Sequence, residues 1–214
     1  MTEAKGSNVE FESGAARNQA VVYDSNSDRV VIFYKDENNS NYGTAIVGTV
    51  SGDSISFGTS AVFNSANSDN LAAVFDSSNN KVVVGFRDVG DSNKGKAVVG
   101  TVDSSDNSIS FGSAVQFEAG NTSNSMGMSF DTSANKIVIA YRDGGDSNFG
   151  KAVVGTVSGT SISFGSVNAF NGSTTQAIDV AYDVANNKHV IGYRATSGVA
   201  KVATVSQSRS RPSA

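Results

Sequence analysis

"RDVGDSNKGKAVVGTV" occupies Arg87–Val102 and "RDGGDSNFGKAVVGTV" occupies Arg142–Val157, two near-copies 55 residues apart. A fixed period of this length marks a repeat architecture, in which one small unit is stacked because it cannot bury its apolar face alone. Two further copies appear on either side. An aromatic followed by Asp recurs as Tyr23-Asp24, Phe75-Asp76, Phe130-Asp131 and Tyr182-Asp183, at intervals of 52, 55 and 52 residues. Gly48-Thr49-Val50, Gly100-Thr101-Val102 and Gly155-Thr156-Val157 keep the same beat, and the last copy reads Ala203-Thr204-Val205. The segment SISFG stands at 54–58, 108–112 and 161–165, and the fourth copy has no counterpart.

Each unit holds about four short apolar runs separated by turn residues. In the first they are QAVVYD, RVVIFYKD, GTAIVGTV and SISFGTSAVF. Val, Ile, Phe, Tyr and Thr dominate the runs, which suits strands. Asn, Asp, Ser and Gly fill the gaps, where they supply side-chain-capped turns and positive φ. No stretch shows a sustained 3.6-residue period, and the one proline, Pro212, lies in the tail. Four strands in roughly 50 residues is the pattern of a β-propeller blade. The sequence therefore predicts an all-β, four-bladed propeller of four-stranded antiparallel blades, a single domain over 1–206. Its repeats run about 12–63, 64–117, 118–170 and 171–206, followed by a disordered tail, 207–214. Aligning VEFESGAARNQAVVYD (9–24) on AVFNSANSDNLAAVFD (61–76) puts Phe11 on Phe63. Residues 7–11 thus read as a fourth strand with no blade of their own, and the last copy lacks one. The expectation is a ring closed by its N-terminal strand, which removes the open edge.

Composition narrows the chemistry. The formal net charge of −4 argues against a protein that tracks nucleic-acid phosphates with clustered Lys and Arg. Apolar runs such as Val82-Val83-Val84 are far too short for a helical membrane span. The first residues, MTEAKGSNVEF, lack the basic-then-apolar pattern of a secretory signal. With no Cys, thiolate catalysis, disulfides and Cys-based zinc sites are excluded, and one histidine, His189, makes a triad within the chain an unpromising idea.

In a propeller, loops between second and third strands share the face that usually carries ligands. Here they are KDENNSNYG (35–43), RDVGDSNKG (87–95), RDGGDSNFG (142–150) and the short RATSG (194–198). Three readings apply. Asp143, Asp146 and Asn148, or Asp88, Asp91 and Asn93, offer the hard oxygen ligands that Ca²⁺ takes, although the spacing is not that of an EF-hand. Asp36, Asp88, Asp143, Arg87 and Arg142, with Tyr42 or Phe149 as an apolar platform, offer paired donors and acceptors for sugar hydroxyls. Alternatively, these residues are simply what tight loops use, with Arg87 and Asp88 satisfying each other. The acids recur one per blade with no asymmetric constellation of acid and base, so a non-enzymatic role is expected. The four aromatic–Asp pairs open short hairpin turns and read as structural caps. Ala20, Ala72, Gly127 and Asp179 occupy equivalent positions on the strand nearest the axis. There Asp179 either contacts a cation in a central channel or points into water. His189 falls where other copies carry Val30, Val82 or Ile137, a half-buried strand position, and Met126 and Met128 read as core fillers.

The tracts VVVGFRDVGDSNKGKAVVGTV…SISFGSAVQF and IVIAYRDGGDSNFGKAVVGTVSGTSISFGS resemble propeller-like repeats of marine phage structural and tail-associated proteins, over about residues 7–206. In blade number and size the chain also resembles hemopexin-type four-bladed propellers, without their sequence pattern. The phage resemblance implies a virion-borne or extracellular adhesion module that contacts surface glycans or neighbouring assembly proteins. It carries no catalytic motif, and the Trp-rich sugar sites of several propeller lectins have no counterpart in a chain without Trp.

Overall fold

The structure, a computed structural model, describes residues 6–205, so the expected tail at 207–214 lies outside the described residues. Within them the chain forms strands and two single 3₁₀ turns, at Val89–Asp91 and Thr196–Gly198, with no α-helix. The first repeat unit, or blade, holds β1 (Ala16–Asp24), β2 (Arg29–Asp36), β3 (Tyr42–Ser51), β4 (Ser54–Phe57) and the start of β5 (Ala61–Asp76). The second continues along β5 into β6 (Lys81–Asp88), β7 (Lys94–Asp103), β8 (Ser108–Phe111) and β9 (Val115–Glu118). The third comprises β10 (Thr122–Asp131), β11 (Lys136–Asp143), β12 (Phe149–Ser158), β13 (Ser161–Phe164) and β14 (Asn168–Asn171). The fourth has three strands, β15 (Thr175–Asp183), β16 (Lys188–Ala195) and β17 (Ala200–Val205).

All pairings are antiparallel, and the outermost position of each complete blade is shared by two short segments. In the first blade β4 pairs with the end of β3, Gly48 opposite Phe57. The start of β5 pairs with the beginning of β3, Ala61 opposite Ala45. The same division recurs for β8 and β9 on β7, and for β13 and β14 on β12. The SISF segment is thus a plug strand, and the next apolar run completes the edge beside it.

The hairpins between first and second strands confirm the reading of the aromatic–Asp pairs. Asp24 Oδ1 accepts from the Asn26 and Ser27 amides, Asp76 from Ser78 and Asn79, Asp131 from Ser133 and Ala134, and Asp183 from Asn186. Each turn ends in a left-handed residue, Asp28, Asn80, Asn135 or Asn187. Only Asn, Asp and Gly enter that region at little cost.

Burial runs between blades. One apolar cluster joins the first and second blades through Val31, Phe33, Val47, Phe63 and Val84; a second joins the second and third through Val99, Met126, Met128 and Ile139. A third joins the third and fourth through Val138, Ile178 and Ile191. In each seam a Phe from the outer edge of one blade packs on the second-strand aromatic of the next. Phe63 meets Phe86 at 5.2 Å, Phe117 meets Tyr141 at 5.1 Å and Phe170 meets Tyr193 at 5.2 Å. Both methionines are buried as fillers, with their sulfurs against Gly85. His189 is buried more deeply than the sequence suggests, at 1% exposure. Its Nδ1 lies 2.7 Å from Ser129 Oγ across the blade seam, and its ring lies against Tyr182, its partner on the adjacent strand of the same blade.

The inner strands pack in the order β1, β5, β10, β15. Among the described residues no apolar cluster joins the fourth blade to the first, and residues 6–11 enter no strand pairing. Phe11 nevertheless packs on Tyr34 at 5.3 Å and on Phe57 at 6.2 Å, as Phe63 packs on Phe86 and Phe111. Glu12 repeats Glu118. Each carboxylate accepts from a glycine amide, Gly14 or Gly120, and from the hydroxyl of Tyr34 or Tyr141. Phe11 and Glu12 thus repeat toward Tyr34 the contacts that Phe117 and Glu118 make toward Tyr141.

Candidate functional site

The loops after the second strands share a face with the beginnings of the inner strands, because Ala16 lies opposite Asp36 and Ser68 opposite Asp88. Here the sequence-predicted residues assemble, and most of their polar groups are already engaged. Asp36 Oδ1 accepts from the Asn38 and Asn39 amides, Asp88 Oδ1 from Asp91, and Asp143 Oδ1 from Gly145 and Asp146. All three carboxylates are buried. The second oxygen of Asp88 accepts from Lys96 Nζ at 2.8 Å, and that of Asp143 from Lys151 Nζ at 2.6 Å. The same ammonium groups reach Asp91 at 2.7 Å and Asp146 at 2.8 Å. Each lysine thus stands between the carboxylates offered to Ca²⁺ in the sequence, and the protein supplies its own cation there. Among the described residues no group of three or more acidic or histidine side chains is arranged to hold a metal ion. The paired carboxylates raise the pKa of both lysines against the opposing effect of burial.

Arg87 turns to Asp69 on the neighbouring inner strand at 2.6 Å, not to Asp88. Arg142 donates from Nε to Asn148 Oδ1 at 2.9 Å. Asn148 and its equivalents Asn41 and Asn93 are left-handed, each preceded by a left-handed Ser. Their carbonyls accept from the first amide of the next blade's inner strand: Asn41 from Ser68, Asn93 from Thr122, Asn148 from Thr175. The Ser-Asn pair of the repeated loop is thus a stitch between consecutive blades. Tyr42 and Phe149 are half-buried, opposite Asp36 and Asp143 at the first rung of β3 and β12.

What sequence reasoning passed over is the beginning of the inner strands. Pairing slips between Arg17 and Ala20, between Asp69 and Ala72, and between Gln176 and Asp179, each a β-bulge. At these bulges Asn18, Asn70 and Ala177 adopt positive φ of 53°, 54° and 48°. A bulge redirects side chains out of the pleat. Asn18 donates from its amide to Asp69, and Asn70 donates to the Ser123 carbonyl at 3.0 Å. Arg194 donates to Gln176. Arg17 is 71% exposed while paired with Glu37. Asp179 lies exposed at the same level, its carboxylate accepting from the Val180 amide. Amide, guanidinium and carboxylate groups thus link the first blade to the second and the second to the third on the loop face, and Arg17, Asn18, Asp179 and Arg194 are exposed. The signal in the sequence was Asn six residues before the marker Asp, at Asn18 and Asn70, where no strand alternation calls for it.

No family model and no curated protein matches this sequence. Among solved structures the chain is similar to an exo-β-1,3-galactanase from Phanerochaete chrysosporium, crystallised with β-1,3-galactotriose. The TM-score is 0.57 and the identity 14%, with 95% of this chain covered. The chain spans about half of that enzyme's length, 50%. A thermostable family-43 glycoside hydrolase aligns over 96% of this chain and 98% of its own at 8% identity and a TM-score of 0.43. The likeness to the galactanase shows the fold alone, an all-β, propeller-like arrangement.

Proposed function

We propose that this chain is a non-enzymatic binding module whose recognition surface is the row of inner-strand bulges, with glycan hydroxyls as the class of ligand. One observation carries the reading. The loop carboxylates are buried and committed to turns and lysines, whereas Arg17, Asn18, Asp179 and Arg194 are exposed. Hydroxyls accept and donate at once, so a surface of alternating amides, guanidiniums and carboxylates matches them. The resemblance of the repeats to phage structural proteins adds a particle-borne adhesion role to this reading. The same module closes its ring by setting Val9–Phe11 beside the start of β17; the position of Phe11 against Tyr34 and Phe57 supports this. A pair of cysteines at Glu10 and Val199 tests the closure: a disulfide within one molecule is expected, and its absence under oxidation removes closure from the proposal.

A glycan array probed with the purified protein tests the ligand class, once with calcium and once with chelator. Signals that survive chelation and disappear in Arg17→Ala and Asn18→Ala are expected; a blank array under both conditions overturns the reading. The second reading is a structural module that assembles through its terminal blades. Val21 and Val202 favour it: they are 63% and 66% exposed, while Ala45 and Ala97, at the register position of Val202, are each 0% exposed. A defined oligomer by light scattering, with no glycan bound, would select it. A hydrolase acting through loop carboxylates ranks third, and sugar release abolished by Asp143→Asn would establish it.

A further inference from the structure

One rung of the inner strands breaks a rule that its counterparts keep. Beside the loop face, the second strand of every blade carries a cation: Lys35, Arg87, Arg142 and Arg194. Asp69 stands opposite Arg87 and pairs with it at 2.6 Å, and Gln176 stands opposite Arg194 and accepts from it. Arg142 donates to Asn148 Oδ1. In the first blade the residue opposite Lys35 is a second cation, Arg17. Like charges directly across a ladder are destabilising. The carboxylates nearby leave Lys35 unmatched. Glu37 takes Arg17 at 2.8 Å. Asp69, across the seam, accepts at Oδ1 from the Asn18 side chain and the Asn70 amide, and at Oδ2 from Arg87. Asp36 follows Lys35 in the chain, so it points to the opposite face of the strand, where it is buried and caps the Asn38 and Asn39 amides. Among the described residues Lys35 forms no ion pair and its side chain no hydrogen bond. It shares its strand face with Val31 and Phe33, which pack toward the second blade, the direction in which Asn18 also reaches.

We propose that Arg17 and Lys35 together hold an anionic group carried on a sugar, a carboxylate or a sulfate ester, with the Asn18 bulge beside it. The assignment rests on the bulge surface as the ligand site and narrows its ligand from glycans in general to acidic glycans. The second blade shows the completed arrangement within the protein: Asp69 faces Arg87 and takes the Asn18 amide as well. At the first blade the ligand's anion plays the part of Asp69. Arg17, exposed at the edge, presents a planar fork to paired oxygens, and Lys35 brings a compact point charge from a half-buried stem. A partly buried ammonium is screened by salt less than an open one, so its attraction for an anion is the stronger of the two. Proteins break local pairing rules of this kind at functional sites, where the cost in stability is offset by binding.

The test measures binding of the full chain to immobilised polymers by biolayer interferometry: a polyuronate, its carboxyl-reduced form, a sulfated galactan, the unsulfated galactan, and polyglutamate. At least one acidic polysaccharide should bind about tenfold or more tightly than its neutral form, with a preference that shrinks as salt is added. Which of the two binds tells a carboxylate from a sulfate. Lys35→Gln should weaken that binding about tenfold and at the same time raise the unfolding temperature, because it relieves the like-charge rung. Lys35→Glu places a carboxylate opposite Arg17; it should abolish acidic binding and raise the unfolding temperature further. Acidic binding that survives Lys35→Gln, or an unfolding temperature that falls in both variants, overturns the proposal. So does polyglutamate bound as tightly as the polysaccharides, which would reduce the effect to charge alone. Neutral and acidic polysaccharides bound equally overturn the proposal and leave the bulge surface as a glycan site. No binding to any polymer overturns both.

Discussion

The third and fourth blades begin from the same repeat and differ at a few positions. The third has Asp143 paired with Lys151, the Ser-Asn stitch ending at Asn148, and Gly155 beneath Ile162 and Phe164. At the corresponding positions of the strand register the fourth has Ala195 and Lys201, the short RATSG loop, and Val205. The acid is lost while the lysine stays, exposed on the strand, and the stitch is lost with the loop that carried it. The difference teaches that the most conspicuous polar loop of the sequence serves the join between blades, and that ligand chemistry must be sought on what remains exposed.

Moving fourth-blade residues into the third breaks this comparison most forcefully. Asp143→Ala leaves Lys151 half-paired and two turn amides uncapped, and should cost about 3 kcal/mol in urea unfolding. The double change Asp143→Ala with Lys151→Val removes both partners, leaves no half-paired ammonium, and should recover part of that loss. If the double variant is no better than the single, the two residues are not a unit. Gly155→Ala, which puts a methyl against Ile162 and Phe164, should cost about 1–3 kcal/mol by overpacking.

A smaller effect separates the seams by pH. Burial lowers the pKa of His189 from its ordinary 6.5, the nearby Asp131 carboxylate opposing it. Below that value the unfolded chain takes up a proton that the folded chain resists, so stability is complete above about pH 6.5 and declines as the pH falls. His189→Val, which restores the residue type of Val30 and Val82, should flatten the decline between pH 6.5 and 5 in thermal unfolding. An unchanged profile would assign it to the carboxylates alone. The smallest expected effect lies at the bulges: Ala177, at φ 48°, holds a conformation that Asn18 and Asn70 adopt more easily. Ala177→Gly should stabilise the chain by about 0.5–1 kcal/mol, and Ala177→Asn by less.

The all-β repeat was legible because its signals are local and repeated. Four aromatic–Asp hairpins, three Gly-Thr-Val strand ends and the alternation of the runs lie within a few residues of their structural consequence; the fourth Thr-Val sits two residues out of register, Val205 standing opposite His189 where Gly155 stands opposite Ile137. The loop chemistry was half legible. Asp36, Asp88 and Asp143 could be read as turn caps, but nothing adjacent announces that Lys96 and Lys151 return eight residues later to complete them. Arg87 found Asp69, 18 residues away on the inner strand, and the Asn41, Asn93 and Asn148 carbonyls found amides 27 to 29 residues downstream. A period describes one unit well and is silent about what each unit does to the next. His189 shows the same limit: its strand position was evident, while its depth comes from Ser129 on the neighbouring blade.

β5 runs unbroken for 16 residues, forming the edge of the first blade and then the inner strand of the second. At the other two crossings the corresponding strands are interrupted, β9 ending at Glu118 before β10 and β14 at Asn171 before β15. Fraying of one half of a continuous strand strains the other, so the first two blades should open and close as one cooperative unit, with the third and fourth joined to it by weaker steps. In amide exchange the chain would then show a slow amino-terminal half and a faster carboxy-terminal one, an asymmetry of motion written into a molecule whose sequence repeats four times.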